Sequence, residues 1–201
     1  MATADASFTA LVRAIAGSDD VTARRQISRL PALARARATE GATRRTAKAY
    51  YFEEIEHYVD AGDTALHVAA AAYRQVIVRT LIAMNADVRA RNRRGAEPLH
   101  YAADGIPGSH TWNPRAQAAT ITALIDAGAD PNAVDQGGVT PLHRAVDREV
   151  GRQSSTVPGG CPLSKGRLGN ATERDTMLRT RTMLALGGTT VHIGQREVGR
   201  R

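Results

Sequence analysis

A chain of 201 residues holds one ordinary domain, or one with an appendage, and excludes a large multidomain enzyme. Twenty-seven Lys and Arg against 20 Asp and Glu give a net charge of +7, which turns attention to acidic partners without naming one. The single Cys161 forms no internal disulfide or thiolate cluster, so a reducing, cytoplasmic setting is expected, and the longest apolar run, Val68 to Tyr73, is far below the roughly 20 residues of a membrane span. A soluble protein is expected, and Met1 to Ser7 lack the basic start and apolar core of a secretory signal.

From the amino terminus, residues 1–147 hold 34 of the 36 alanines and carry 17 Lys and Arg against 16 Asp and Glu. With aromatics at only 4%, their core is expected to be Ala, Leu, Ile and Val on closely packed helices. Phe8, Leu11, Val12 and Ile15 recur at helical spacing and predict a first helix; Val21, Ile27, Leu30 and Leu33 predict a second. Pro31 either interrupts that second helix or restarts it, since it has no amide to donate and its ring crowds the preceding turn. The Ala, Tyr, Phe, Glu and Ile content between Thr46 and Tyr58 predicts a short inserted helix. Glu54 and His57 would then stand three apart, the spacing used in carboxylate-bridged metal bundles. Those bundles need a second such pair on a facing helix, which this chain lacks, so a solvated face is expected.

Gly62-Asp63-Thr64-Ala65-Leu66-His67 then recurs 33 residues on as Gly95-Ala96-Glu97-Pro98-Leu99-His100, and 43 residues after that as Gly138-Val139-Thr140-Pro141-Leu142-His143. Self-similarity of this period decides the architecture before any local reading. Ala69-Ala70, Ala102-Ala103 and Ala145-Val146 follow in register, and Leu81-Ile82 aligns with Leu124-Ile125. Two helices per unit fit this pattern. Thr64 and Thr140 offer hydroxyl caps, while Pro98 and Pro141 occupy first-turn positions where a missing amide costs nothing. The second helices carry Val76, Ile77, Leu81 and Ile82 up to Asn85, and Ile121, Leu124 and Ile125 up to Gly128; Asn and Gly both tolerate a left-handed stop.

This pattern resembles the ankyrin repeat, whose signature is a glycine, a variable residue and Thr-Pro-Leu-His, then paired alanines and a Gly-Ala-Asp stop. The resemblance runs from Val59 to Asp147 and departs at Ala65 for proline, Glu97 for threonine and Asn85 for glycine. Glu97 is expected to weaken a cap worth about 1 kcal/mol. The resemblance implies an all-α solenoid of stacked helix-turn-helix units with short hairpin fingers, plus an irregular basic carboxyl-terminal tail. It further implies a concave finger and first-helix surface that binds a protein partner without catalysis. A helix pair cannot bury its apolar face alone and about three units are needed, so residues 5–37 are expected to cap the array. The expected division is 1–61, a helical cap with an inserted segment; 62–147, the repeats; and 148–201, a basic Gly-containing tail. That tail is either disordered or a degenerate final repeat, the latter on a match of Met183, Leu184, Leu186 and Gly187-Gly188 to Leu124, Ile125, Ala127 and Gly128-Ala129.

His67, His100 and His143 stand one unit apart, too far for three ligands about 2 Å from one metal. The resemblance implies that they, with Thr64 and Thr140, hold the scaffold by hydrogen bonds. No phosphate loop, nucleophile elbow or Cys-x-x-Cys occurs, so no catalytic residue, metal or cofactor is expected. Arg89, Arg91, Arg93 and Arg94 crowd the turn between the two full units, whereas Asn132 to Gly137 contains only Asp135 as a charge. The cluster is either a solvated turn or a basic finger for a partner with an acidic surface, arginine being suited to bidentate contact with carboxylates. The longer second unit carries Trp112 near Gly105 to Pro114, either an interface anchor or a ring buried against its own loop. Residues 148–201 carry 10 Lys and Arg against 4 Asp and Glu. Nonspecific association of this tail with nucleic acid or an anionic surface is the alternative function. The scattered charges and the lack of any aromatic after Trp112 make nucleic acid the less expected partner.

Overall fold

In the computed structural model, which describes residues 2–105 and 109–145, helices follow one another in pairs. The pairs are α1 (Ala2–Ala16) with α2 (Asp20–Arg29), α3 (Ala65–Ala71) with α4 (Gln75–Ala83), and α5 (Pro98–Ala103) with α6 (Pro114–Asp126). Residues 141–145 form one more helical turn. First members pack on one another, α1 on α3 and α3 on α5, and second members form another layer, α2 on α4 and α4 on α6. The predicted tail, 148–201, lies outside the described residues.

One apolar cluster runs through all of these pairs, from Leu11 and Ile15 through Leu66, Ile77 and Leu81 to Leu99 and Leu124. Every residue of α3 and of α5 is buried. Their alanines let flanking helices approach closely, and the branched residues of the second helices fill what remains.

The two predicted amino-terminal helices form, with differences in the second. Phe8, Leu11, Val12 and Ile15 are buried on α1, and Ala23 and Ile27 on α2, but Val21 is 79% and Leu30 44% exposed. Val21 precedes Ile27 by six residues, which at about 100° per residue turns it some 120° away from the buried face. Asp19 sets that phase by capping α2, its carboxylate accepting from the Thr22 amide at 2.9 Å. That hydrogen bond holds the Asp19 pKa below the usual carboxylate value. Pro31 ends α2 and begins a separate 3₁₀ turn, Pro31–Ala34, which buries Leu33 and Ala34. Arg74 binds Asp20 through two nitrogens, at 3.0 and 2.6 Å, and so ties the start of α2 to the start of α4.

The inserted segment differs from its predicted short helix. It forms two 3₁₀ turns, Ala47–Tyr50 and Glu53–Ile55, around a hairpin of β1 (Tyr51–Phe52) and β2 (His57–Tyr58), paired Tyr51 to Tyr58 and Phe52 to His57. Aromatic residues on both arms suit a strand. Glu53, Glu54 and Glu56 would crowd like charges on one helical turn, whereas here Glu56 turns the chain back in the left-handed region, φ 48°. Upstream, the Gly41 backbone lies so close to Ala61 that a side chain would meet its nitrogen at 2.2 Å, so glycine is required for the segment to press against residues 59–63.

Burial separates two predictions in α2. Ile27→Ala should cost about 2–5 kcal/mol by cavity formation, and Val21→Ala less than about 0.5 kcal/mol. Urea unfolding of both variants checks this, and equal losses would contradict the packing of α2 on α4.

Candidate functional site

Between a second helix and the next first helix the chain turns out as a finger. The fingers reach Gly62, Gly95 and Gly138, all with positive φ, of 85°, 75° and 72°. At Gly62 and Gly95 close approach adds a second demand, because a Cβ would lie 3.1 Å from Asn92 Cα and 3.0 Å from the Gln136 nitrogen. Neighbouring fingers are joined through the backbone: the Arg93 amide donates to the Ala61 carbonyl and the Gln136 amide to the Arg94 carbonyl, each at 2.9 Å. Within its finger, Asn92 Oδ1 accepts from the amides of Arg94 and Ala96 at 2.9 and 3.0 Å. Asp135 Oδ1 does the same for Gly137 and Val139, at 2.8 and 3.0 Å.

The repeated histidines join each first helix to the following finger. His67 Nδ1 accepts from the Thr64 amide at 3.1 Å, so the ring proton sits on Nε2, which donates to the Ala96 carbonyl at 3.1 Å. His100 Nδ1 accepts from the Glu97 amide at 3.1 Å and Nε2 donates to the Val139 carbonyl at 3.1 Å. His143 repeats the first half, its Nδ1 3.2 Å from the Thr140 amide and 2.8 Å from the Thr140 hydroxyl. Thr64 and His67 form a reciprocal capping box. Glu97, expected to cap poorly, keeps the same box with His100, and its buried carboxylate accepts from Arg91 Nε at 3.2 Å. Burial lowers the pKa of His67 and of His100 below 6.5, outweighing the carboxylates Asp63 and Asp135 that favour their charged forms.

Each arginine of the second finger meets a carboxylate of this chain. Arg89 lies 3.3 Å from Asp130, Arg91 3.2 Å from Glu97, Arg93 2.9 Å from Asp60 and Arg94 3.6 Å from the other Asp60 oxygen. Arg93 also donates to the Ala42 carbonyl. Trp112 is half-buried, and its indole N–H donates to Gln117 Oε1 at 3.0 Å.

Several polar groups of this face have partners that the sequence does not reveal. Asp63 accepts from Asn92 at 2.8 Å and from the Tyr101 hydroxyl at 2.9 Å, all three being buried. Burial first, and the Asp63 charge second, raise the Tyr101 pKa well above 10, which keeps the phenol a donor. His57 of the inserted hairpin stacks on Tyr101 with ring centroids 4.3 Å apart and faces Asp104 at 3.5 Å. Arg144 holds Asp135 at 2.9 Å and lies 3.9 Å from Asp104. Burial raises the Asp135 pKa, but Arg144 and the Val139 and Gly137 amides outweigh it and leave the carboxyl below its usual value. Asn92 and Asp135, each three residues before a finger glycine, were readable from the repeat register; His57 and Asp104 carry no such mark.

A helix pair, a left-handed glycine finger and a histidine bridge, repeated in register, define a helical repeat protein. The ankyrin repeat family profile matches residues 61–93, from the first finger through α3 and α4 into the second. Ankyrin repeats generally mediate protein–protein interaction. No curated protein matches the chain. Among the described residues no helix is long and apolar enough to cross a membrane, and no group of three or more His, Cys, Asp or Glu is placed to hold a metal ion.

The histidine bridges make stability depend on pH. Both imidazoles are held neutral in the fold and protonate more readily when unfolded, so the unfolded state binds more protons as pH falls below about 6.5. Their contribution is therefore complete above that pH and declines below it. The urea midpoint is expected to fall between pH 7.5 and 5.5, and to fall less in His67→Gln. A midpoint that rises on acidification would contradict the neutral bridge.

Proposed function

We propose that the helix pairs stack as a short solenoid whose concave finger and first-helix side binds a partner protein, with no reaction catalysed by this chain. The supporting observation is the alignment of three fingers by backbone hydrogen bonds at both junctions, which presents their side chains from one preorganised frame. Arg89, Arg91, Arg93 and Arg94 make the second finger the recognition element for an acidic partner surface. Arg94 is the best placed of them: its side chain is 68% exposed, and it shares Asp60 with Arg93 at the longer distance of 3.6 Å. Trp112, half-buried with its indole held by Gln117, is read as an adjoining anchor for the partner. The lone Cys161 fits a reducing cytoplasm.

Capture of partners by the intact chain, compared with Arg94→Glu alone and with all four finger arginines changed to Glu, tests this reading. Arg94→Glu should lower capture several-fold and the quadruple variant about tenfold or more, with unfolding midpoints as the folding control. Undiminished capture would remove the finger from the binding surface.

A second reading rests on the charge division, since residues 148–201 carry 10 Lys and Arg against 4 Asp and Glu. If this segment binds phosphates, affinity for duplex DNA should fall with salt at a log–log slope of about −0.9 per phosphate contacted, and the slope should shrink when 148–201 are deleted. An unchanged slope eliminates the role.

A further inference from the structure

The inserted hairpin turns its two faces to different surroundings. Phe52 and His57 form its inward pair, Phe52 packed against the core and His57 stacked on Tyr101, so the alternation of a strand makes Tyr51 and Tyr58 the outward pair. Their ring centroids are 4.8 Å apart, and the two residues are 37% and 45% exposed. Both border the same cleft as Arg94 of the second finger. Tyrosine and arginine are among the residue types enriched where interfaces gain their binding energy.

Just upstream the charge is one-sided. Residues 43–46 close a turn in which the Thr46 amide donates to the Thr43 carbonyl at 3.2 Å and the two threonine hydroxyls lie 2.7 Å apart. Arg44 and Arg45 stand exposed at its tip, and Lys48 follows, exposed, on the 3₁₀ turn that leads into β1. Each finger arginine faces a carboxylate of this chain, whereas among the described residues Arg44, Arg45 and Lys48 take part in no ion pair. Glu40, the carboxylate next before the turn, accepts from the Tyr50 hydroxyl at 2.8 Å. Glu53, Glu54 and Glu56 lie at the other, closed end of the hairpin, where Glu56 accepts from Thr111 at 2.8 Å. The basic turn is fixed beside the second finger, since the Ala42 amide donates to the Val59 carbonyl at 2.8 Å and Arg93 donates to the Ala42 carbonyl. A carboxylate that reaches Arg44 or Arg45 displaces no internal one, so its gain is not offset as it is at the finger.

We propose that the Arg44–Arg45 turn and the outward face of the hairpin together receive an acidic, extended segment of the partner protein, its carboxylates meeting the two arginines and an apolar side chain lying on Tyr51 and Tyr58. Charge complementarity selects this occupant. Arginine pairs bidentately with carboxylate, and a peptide can confine its acidic groups to the turn, whereas a continuous phosphate backbone crossing the hairpin would meet the exposed Glu53 and Glu54. The border shared with Arg94 makes this surface continuous with the second finger. The inference rests on the reading of the finger side as the partner-binding surface, and it moves the principal charged contact from the finger to the insertion.

Titration of the full chain with the blocked hexapeptide Glu-Leu-Glu-Glu-Leu-Glu, its counterpart with Lys for every Glu, inorganic triphosphate and duplex DNA, followed by NMR of the Tyr51 and Tyr58 rings and the Arg44 and Arg45 Nε–H groups, tests it. The acidic peptide should give saturable shifts at all four side chains and the basic one none. Arg44→Ala combined with Arg45→Ala should weaken binding of the acidic peptide about fivefold or more, read at the tyrosines. The unfolding midpoint should stay in place, and Arg79→Ala on α4 should leave the response unchanged. No saturable shift with the acidic peptide, an equal response to the basic one, or a response that survives the double arginine change would overturn the surface. Tighter binding of triphosphate or of duplex DNA at the same resonances would overturn the assignment to a protein segment. Partner capture separates this inference from the reading it rests on. Capture lost in the finger variants but retained in the double turn variant refutes the inference alone; capture lost in the turn variant but retained in the finger variants, with their peptide shifts intact, refutes the finger alone.

Discussion

Buried imidazoles that must be satisfied at both nitrogens govern how the units join. An α-helix of seven residues, such as α3, or six, such as α5, has almost no stability of its own because nucleation is costly and few bonds repay it. His67 and His100 answer this at two places at once. Each accepts from its own helix cap, which fixes where the helix begins, and donates to a carbonyl of the next finger, which fixes where the next unit sits. Losing that carbonyl while the imidazole stays buried would leave a donor unpaired, at a cost of about 1–3 kcal/mol. The bridge thus makes each unit's stability conditional on its neighbour, and the apolar cluster running through the helix pairs has the same consequence.

Against that regular frame the insertions are informative because they are supported so fully. Gly41 permits the segment before the hairpin to press onto residues 60 and 61, Glu56 accepts a left-handed conformation, and His57 stacks on Tyr101. Tyr101 is itself held by Asp63 and Asn92, one a residue of the first finger and the other of the second. A hairpin tied into a buried polar network in this way is positioned by the repeats, because every member of a low-dielectric network must keep its partner. Its effect is to close part of a face that the repeats alone would leave open.

Much of the repeat is legible in the sequence because its determinants are local. The left-handed stop at Asn85, φ 59°, and at Gly128, φ 97°, follows from residue type, and so do the caps at Thr64 and Thr140. The apolar stripe of α1 is legible too, since Phe8, Leu11, Val12 and Ile15 fall on one helical face. What was not legible depends on long-range partners or on phase. Val21 and Leu30 are apolar yet point to solvent, because Asp19 sets the helix start and Pro31 its end. The hairpin replaces a predicted helix because residues 59–63 and Tyr101 offer it contacts that no local propensity records. The finger arginines look unopposed in the linear chain, yet Asp60 is 33 residues from Arg93 and Asp130 41 residues from Arg89.

Those ion pairs change how a charged finger must work. A cation already facing a carboxylate of its own chain is held in place before any partner arrives, so less side-chain entropy is lost on binding. A partner's carboxylate must also compete with the internal one, so the net gain in affinity is small and the penalty for a wrongly placed or like charge is large. Residues 1–147 balance 17 cations against 16 anions, and the second finger repeats that balance on a smaller scale. On the proposed reading, recognition at this face therefore depends on where each charge stands rather than on how many there are. Prepositioned charges of both signs are selective for a partner whose charges oppose them position by position.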